Sequence, residues 1–216
     1  MGAAYPRLFV ILGNDDPRAF EPTVITLEEQ RLWTYLHGRR AELAGRPVFG
    51  YAHVPPSPFL LKDWERYDVS RYVDPGCISP EEGRRSVPVE PRETRFSTIQ
   101  RDLDELFADH PLDQAVLLFH TPPYGTLLDR AALDGKKVDH VPLDVHVGSI
   151  ALRRMIELRR PGLTLHGHVH ESARLTGAWR DELGGTVMLG AAHDGPELAL
   201  VRFDLEDPSS ATRSLI

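Results

Sequence analysis

The chain has 216 residues, of which 41% are apolar and 26% charged, as in an ordinary globular protein. This composition excludes wholesale disorder and fibrous architectures, and the length indicates one domain over residues 1–216 rather than two. There are 25 Lys and Arg residues against 32 Asp and Glu, so the net charge of −7 argues against a nucleic-acid partner and against broad contact with an anionic membrane.

The single cysteine, Cys77, excludes an internal disulfide and a Cys-rich zinc site. The sequence has no run of about 18 apolar residues, and its N-terminus lacks the basic and apolar regions of a signal peptide. We therefore predict a cytoplasmic protein without a membrane span. Ten histidines are the unusual feature of the composition.

Three short apolar runs predict buried strands, at residues 8–12, 115–119 and 163–165. Each run stops at a turn signal and is followed by side chains that could bind a metal. The three following segments are Gly13-Asn14-Asp15-Asp16, His120-Thr121-Pro122-Pro123 and His166-Gly167-His168-Val169-His170. Because loops converge at the carboxyl ends of strands in open α/β sheets, we expect these side chains to lie close together.

Two helices are predicted by apolar residues at helical spacing, one beginning at Phe96 and ending at Phe107, the other over residues 149–160. Each precedes a predicted strand, which indicates an α/β fold.

Between residues 27 and 43 the pattern is ambiguous, since Thr26-Leu27-Glu28-Glu29 resembles a capping box while Gly38 interrupts a helix. There we predict a short helical turn and then strands at 33–36, 41–43 and 48–54. Two further strands are predicted at 186–189 and 198–205.

Residues 55–91 form a Pro-rich excursion with seven prolines and no clear helix or strand. Loops longer than about 12–15 residues are usually functional or mobile, so this segment is interpreted either as a lid or rim over a site or as a solvated excursion pinned by its aromatic residues.

His168 and His170 are two residues apart at a strand end, so an extended backbone would project both side chains to the same side. His166, two residues earlier, would project to that side as well. Together with His120 and Asn14 they predict a metal site, because imidazole nitrogen and amide oxygen suit zinc, manganese or iron. We interpret His37, by contrast, as a surface turn residue.

At these residues the sequence resembles the calcineurin-like metallophosphoesterases, whose motifs are D-x-H, G-D-x-x-D, G-N-H-D/E, H and G-H-x-H. The last three occur here in order, as Gly13-Asn14-Asp15-Asp16, His120 and Gly167-His168-Val169-His170. The resemblance implies a layered α/β/β/α sandwich that hydrolyses a phosphomonoester or phosphodiester with a metal-activated water. It also implies that Asn14, His120 and His168 bind one divalent ion and His170 the other.

The resemblance extends to a bacterial subgroup with the strings His120-Thr121-Pro122-Pro123-Tyr124-Gly125-Thr126 and His146-Val147-Gly148-Ser149. Tyr124 is accordingly a candidate for binding a small phosphorylated substrate, with ring packing as the alternative. His146 precedes a helix start that favours anions and is a candidate catalytic residue, with a plain surface histidine as the alternative. Asp16 and Asp129 are interpreted as turn or cap residues.

Two departures limit the resemblance. Neither D-x-H nor G-D-x-x-D precedes Gly13, so we expect the chain to be the C-terminal part of such a domain, truncated at its N-terminus. Asp15 stands where the family has a histidine that protonates the leaving group, which makes it a second candidate catalytic residue of altered chemistry. The remaining ligands are all neutral, so we expect at most one Mn, Fe or Zn ion in this chain, against two in the intact family.

Two other function classes are open at this point. One is a non-catalytic metal-binding or regulatory remnant of the same fold. The other, a cupin-like metal oxygenase, is disfavoured by the alternation of helices and strands and by Gly13-Asn14. Truncation would also leave an unpaired edge on the strand at residues 8–12, which predicts self-association through that edge.

Overall fold

The computed structural model describes residues 5–216, which form twelve strands and five α-helices. The strands are β1 (Phe9–Val10), β2 (Thr34–Tyr35), β3 (Arg39–Leu43), β4 (Arg46–Tyr51), β5 (Val116–Phe119), β6 (Lys137–Val138), β7 (Val141–Pro142), β8 (Leu163–His166), β9 (Arg180–Leu183), β10 (Thr186–Gly190), β11 (Ala199–Arg202) and β12 (Thr212–Leu215). The helices are α1 (Glu21–Glu29), α2 (Pro91–Phe96), α3 (Ile99–Phe107), α4 (Ile150–Arg159) and α5 (Ser172–Thr176).

Six strands form a mixed sheet in the order β3-β4-β5-β8-β10-β9. The four central strands are parallel, and the edge strands β3 and β9 are antiparallel to their neighbours. Strands β5 and β8 pair in register, with Val116 opposite Leu163 and Leu118 opposite Leu165. The carboxyl ends of these two strands therefore lie side by side. The α/β class predicted from the sequence is confirmed.

Each face of the six-stranded sheet buries a separate apolar cluster. On one face, Phe49, Leu117 and Met188 pack with Leu103 of α3 and Leu152 of α4. On the other face, a second cluster joins the sheet to the parallel pair β1-β2 and to the antiparallel pair β11-β12. Its buried members are Leu36, Val48, Val116, Leu163, Leu189 and Ala211. The sheet thus has helices on one side and two small sheets on the other.

The predicted helix from Phe96 to Phe107 is in fact two helices. Ser97 and Thr98 are extended, and the Thr98 hydroxyl accepts a hydrogen bond from the backbone N–H of Arg101, which starts α3. Phe96 is 55% exposed and does not belong to the apolar face of α3. The helix predicted at 149–160 is confirmed, with Ser149 as its N-cap.

The capping box proposed at Thr26 is wrong. Thr26 lies near the end of α1, and its hydroxyl donates to the carbonyl of Pro22 one turn earlier. The capping partner in that box would be Glu29, and its neighbour Glu28 accepts from the backbone N–H of Tyr35. Pro22 at the start of α1 was the more informative signal, because proline favours the first turn of a helix.

The Pro-rich excursion contains no strand or α-helix before Pro91, as predicted, but it is not a solvated loop. Lys62, Trp64 and Glu65 are at most 1% exposed, and Lys62 Nζ lies 2.5 Å from the Glu65 carboxylate. The Trp64 indole N–H donates to the carbonyl of Asp16, which ties this segment to the loop after β1. Among residues 5–216, no helix is both long and apolar enough to cross a membrane.

Candidate functional site

Three chain segments converge on the side chain of Asn14. This residue follows β1, and its Oδ1 lies 2.8 Å from Nε2 of His120, which follows β5. The same oxygen lies 2.9 Å from Nδ1 of His168, which follows β8. The centroids of the two imidazole rings are 5.2 Å apart. The structure therefore brings together three of the four predicted metal ligands.

The in-register pairing of β5 and β8 is what places the two histidines side by side. One residue beyond the paired strands, the backbone N–H of Gly167 donates to the carbonyl of His120 at 3.0 Å. The chain then turns sharply, since His168 has φ of +69°, in the left-handed region. This turn directs the His168 ring toward Asn14.

Gly13 allows the Asn14 loop to approach the sheet. A Cβ atom at this position would lie 2.7 Å from the His120 ring, closer than a real contact permits. The loop is further fixed by Asp16, whose carboxylate accepts from the backbone N–H of Gly13 at 2.7 Å. The interpretation of Asp16 as a turn residue agrees with this contact.

The amide group of Asn14 is oriented by Asp15. Asn14 Nδ2 donates to Asp15 Oδ1 at 3.3 Å, which leaves the amide oxygen facing the two histidines. Asn14 is 6% exposed, whereas the Asp15 side chain is exposed at the mouth of the cluster.

Both site imidazoles are held in the neutral form. Burial lowers the pKa of His120 to about 4, although the carboxylates of Asp15 and Asp16 act in the opposite direction. Burial, followed by the neighbouring rings of His120 and His170, lowers the pKa of His168 to about 3. Neutral imidazole is the form that binds a metal.

The prediction that an extended backbone projects the side chains of residues 166, 168 and 170 to the same side is wrong. Strand β8 ends at His166, and the left-handed residue His168 breaks the alternation. His166 points into the fold, where its ring nitrogens bond the Thr121 carbonyl and the Thr164 hydroxyl. His170 is exposed, and no hydrogen bond joins it to Asn14. Across residues 5–216, no three His, Cys, Asp or Glu side chains form a group that could hold a metal.

Tyr124, on the loop that follows His120, and His146, just before α4, form a second cluster. Their rings are 5.8 Å apart, and His146 Nδ1 lies 2.7 Å from Oδ1 of Asp129. The Tyr124 hydroxyl donates to Asp144 at 2.7 Å. With Nδ1 bonded to Asp129, His146 keeps Nε2 free for a proton or a ligand.

Sequence reasoning underestimated Asp129. This residue is fully buried and accepts backbone N–H groups from Gly125, Thr126 and Gly148 in addition to the His146 contact. The short Gly125-Thr126 spacing before it is the signal of a side-chain-capped turn. That pattern gives no indication of the contact with His146, which lies 17 residues later in the chain.

No family model and no curated protein matches this chain. One solved crystal structure superimposes with a TM-score of 0.54 and 18% sequence identity, over 96% of this chain and 64% of the other. A second, TT1561 of Thermus thermophilus, gives a TM-score of 0.46 and 17% identity over 91% and 65%. At 18% identity the first match shows a known fold and nothing further, and this chain spans less than two thirds of either structure's length.

Proposed function

We propose that this chain is part of a divalent-metal-dependent phosphoesterase of the calcineurin-like type, acting on a phosphomonoester or phosphodiester. The observation that carries the proposal is the Asn14 amide oxygen, which lies within 2.9 Å of two imidazole nitrogens contributed by separate strand ends. The order of these segments along the chain matches the last three motifs of that family. The helix layer, the large sheet and the two small sheets are compatible with its α/β/β/α sandwich.

The three donor atoms fit a single divalent ion. Nitrogen and oxygen ligands bind zinc at about 2.0–2.2 Å, so two adjacent ligands are about 3.0 Å apart in octahedral and about 3.4 Å apart in tetrahedral coordination. The Asn14 oxygen is 2.8 and 2.9 Å from its two neighbours, close to the octahedral spacing. When bound, such an ion would polarise a phosphoryl oxygen and lower the pKa of a water molecule.

The residues around these donors have supporting roles in the proposal. Asp15 holds the Asn14 amide so that its oxygen, not its nitrogen, faces the ligands. This makes Asp15 a positioning residue rather than a copy of the family's proton-donating histidine. His146, fixed by Asp129, offers Nε2 to a substrate group near Tyr124. The resemblance assigns His170 to a second ion, but for this chain we propose a single ion, and the His170 side chain is exposed.

One observation favours the alternative of a non-catalytic metal-binding or regulatory remnant. All donors that converge on the site are neutral, and in the part of the chain that the structure describes no carboxylate is among them. Two divalent ions in one site are normally bridged and neutralised by carboxylates, which the remnant would lack. This alternative predicts metal binding without turnover.

Hydrolysis of bis(4-nitrophenyl) phosphate with added manganese tests the proposal. We expect release of 4-nitrophenol by the wild-type chain and its loss in His120→Asn. His110→Asn is the matched control, because His110 is exposed and precedes β5, at the opposite end of that strand from His120. Manganese binding without hydrolysis would support the remnant, and absence of both would refute the two proposals together.

A further inference from the structure

A cavity of about 300 Å³ lies between the Pro-rich excursion and the loops that precede α4. Its walls are mainly apolar, with Val69 on one side and aliphatic residues from the segment 133–150 on the other. The aliphatic side chains from that segment are Leu133, Val138, Leu143, Val147 and Ile150. A volume of this size is at the lower end of the range for small-molecule sites.

Three carboxylates line the same cavity, those of Asp68, Asp74 and Asp144, and none of its lining residues is Lys or Arg. His146 is the one histidine among the lining residues, and its Nδ1 is bonded to the buried carboxylate of Asp129. The lining of the cavity is therefore mainly apolar, and its charged side chains are negative.

The three carboxylates differ in how they are satisfied. Asp68 accepts the Ser149 hydroxyl and the backbone N–H of Ile150 at the start of α4. Asp144 accepts the Tyr124 hydroxyl and the backbone N–H of His146. Asp74 is exposed and has no ion-pair partner among the described residues, and partial desolvation, followed by the charge of Asp144, raises the pKa of its carboxyl group.

We infer that this cavity binds a small organic amine, with its apolar body between the aliphatic walls and its ammonium group at Asp74 and Asp144. A cation at that position would relieve the repulsion between the two carboxylates. The exposed ring of Tyr72 and the ring of Tyr124 line the same cavity and add faces that attract cations. The cavity shares Tyr124 and His146 with the proposed substrate site, but binding of the amine does not require a metal at Asn14.

Binding of 2-phenylethylamine to the full chain, measured by titration calorimetry, tests this inference. The neutral comparison is 2-phenylethanol, which keeps the ring and replaces the ammonium group by a hydroxyl. We expect the amine to bind about tenfold more tightly than the alcohol and to lose that advantage as sodium chloride is raised, because salt screens partly exposed charges.

Two variants locate the site. Asp74→Asn should reduce the amine affinity severalfold and leave the alcohol unchanged, whereas Asp134→Asn, on an exposed residue outside the cavity, should change neither. Ser70→Trp, which adds a bulky ring at the rim, should weaken both ligands. Equal affinity for amine and alcohol, or an amine affinity unaffected by Asp74→Asn, would overturn the inference, as would no detectable binding of the amine.

Discussion

The imidazole rings of His37 and His53 lie edge to face inside the fold, with their centroids 4.8 Å apart. Both rings also contact the indole of Trp64, at 4.9 and 5.5 Å between centroids. His37 Nδ1 accepts from the backbone N–H of Ala52, and His53 Nε2 accepts from the Arg66 guanidinium. Each histidine thus uses a nitrogen lone pair as an acceptor, which requires the neutral form.

This pair predicts that the fold loses stability in mild acid. Burial, followed by the charge of Arg66, lowers the pKa of His37 to about 3, and burial lowers that of His53 well below its usual value. Between pH 6.5 and about 3 the unfolded chain binds a proton that folded His37 does not, so the free energy of unfolding falls as the pH falls. From pH 7 to pH 5, one such histidine removes about 2 kcal/mol.

Denaturant unfolding at pH 7 and at pH 5 measures this loss. In His37→Asn, whose side-chain oxygen can still accept from Ala52, the loss should be smaller by about 2 kcal/mol than in the wild type. His140→Asn, on an exposed histidine, should behave as the wild type. An unchanged loss in His37→Asn would show that this residue is protonated equally in both states.

The buried ion pair of Lys62 and Glu65 gives a prediction about coupled residues. Both side chains are fully buried, and Glu65 also accepts the backbone N–H and the hydroxyl of Ser57. Lys62→Met leaves a buried carboxylate without its cation and should cost about 3–5 kcal/mol. The double variant Lys62→Met, Glu65→Leu should cost less than Lys62→Met alone, as measured by denaturant unfolding. A double variant that costs the sum of both single changes would contradict a coupled pair.

Asp129 provides a prediction about the loop that carries Tyr124. Its two carboxylate oxygens accept hydrogen bonds from four N–H groups. An asparagine would offer only one oxygen, and its NH₂ group would point at N–H groups that are themselves donors. Asp129→Asn should therefore lower the free energy of unfolding by about 2–4 kcal/mol. Asp109→Asn is its control, because Asp109 is exposed and has no side-chain hydrogen bond or ion pair among the described residues; it should change stability by less than about 0.5 kcal/mol. Similar stabilities for the two variants would show that the hydrogen bonds of the Asp129 carboxylate do not stabilise the fold.

The parallel core of the sheet could be predicted from sequence because its strands are short, apolar and bounded by turns. The runs at 115–119 and 163–165 coincide with β5 and β8, and the prediction at 186–189 coincides with most of β10. The charged strand β9 and the polar strand β12 were missed. Their residues alternate without an apolar face, and only pairing with β10 and β11 makes them strands.

The candidate site was predicted in its residue types but not in its geometry. Asn14, His120 and His168 meet as expected, but through a left-handed residue at 168 that no periodicity indicates. The interpretation of His37 as a surface turn residue was wrong, because Trp64, distant in sequence, packs edge to face against its ring. Burial by distant segments was also what made Lys62 unpredictable.

Self-association through β1 stays a prediction. Its carbonyl groups at Leu8 and Val10 accept from β2, and within residues 5–216 no strand pairs with its other edge. Light scattering on the purified chain should show oligomers, and Leu8→Lys should reduce them by placing a charge beside the edge. Leu158→Lys, on an exposed residue of α4, is the control. A monodisperse wild-type monomer would contradict the prediction.

The most direct test of the account is the binding of manganese or zinc to the purified chain, measured by calorimetric titration and elemental analysis. We predict about one ion per chain, with an affinity at least about 100-fold weaker in His168→Asn because the imidazole ligand is replaced by a shorter side chain with a weaker amide oxygen. His140→Asn is a closely matched control, since His140 has φ of +70° and His168 has φ of +69°, a backbone conformation that asparagine tolerates. Unchanged affinity in His168→Asn, two tightly bound ions, or no binding at all would contradict a single-metal site at Asn14, His120 and His168.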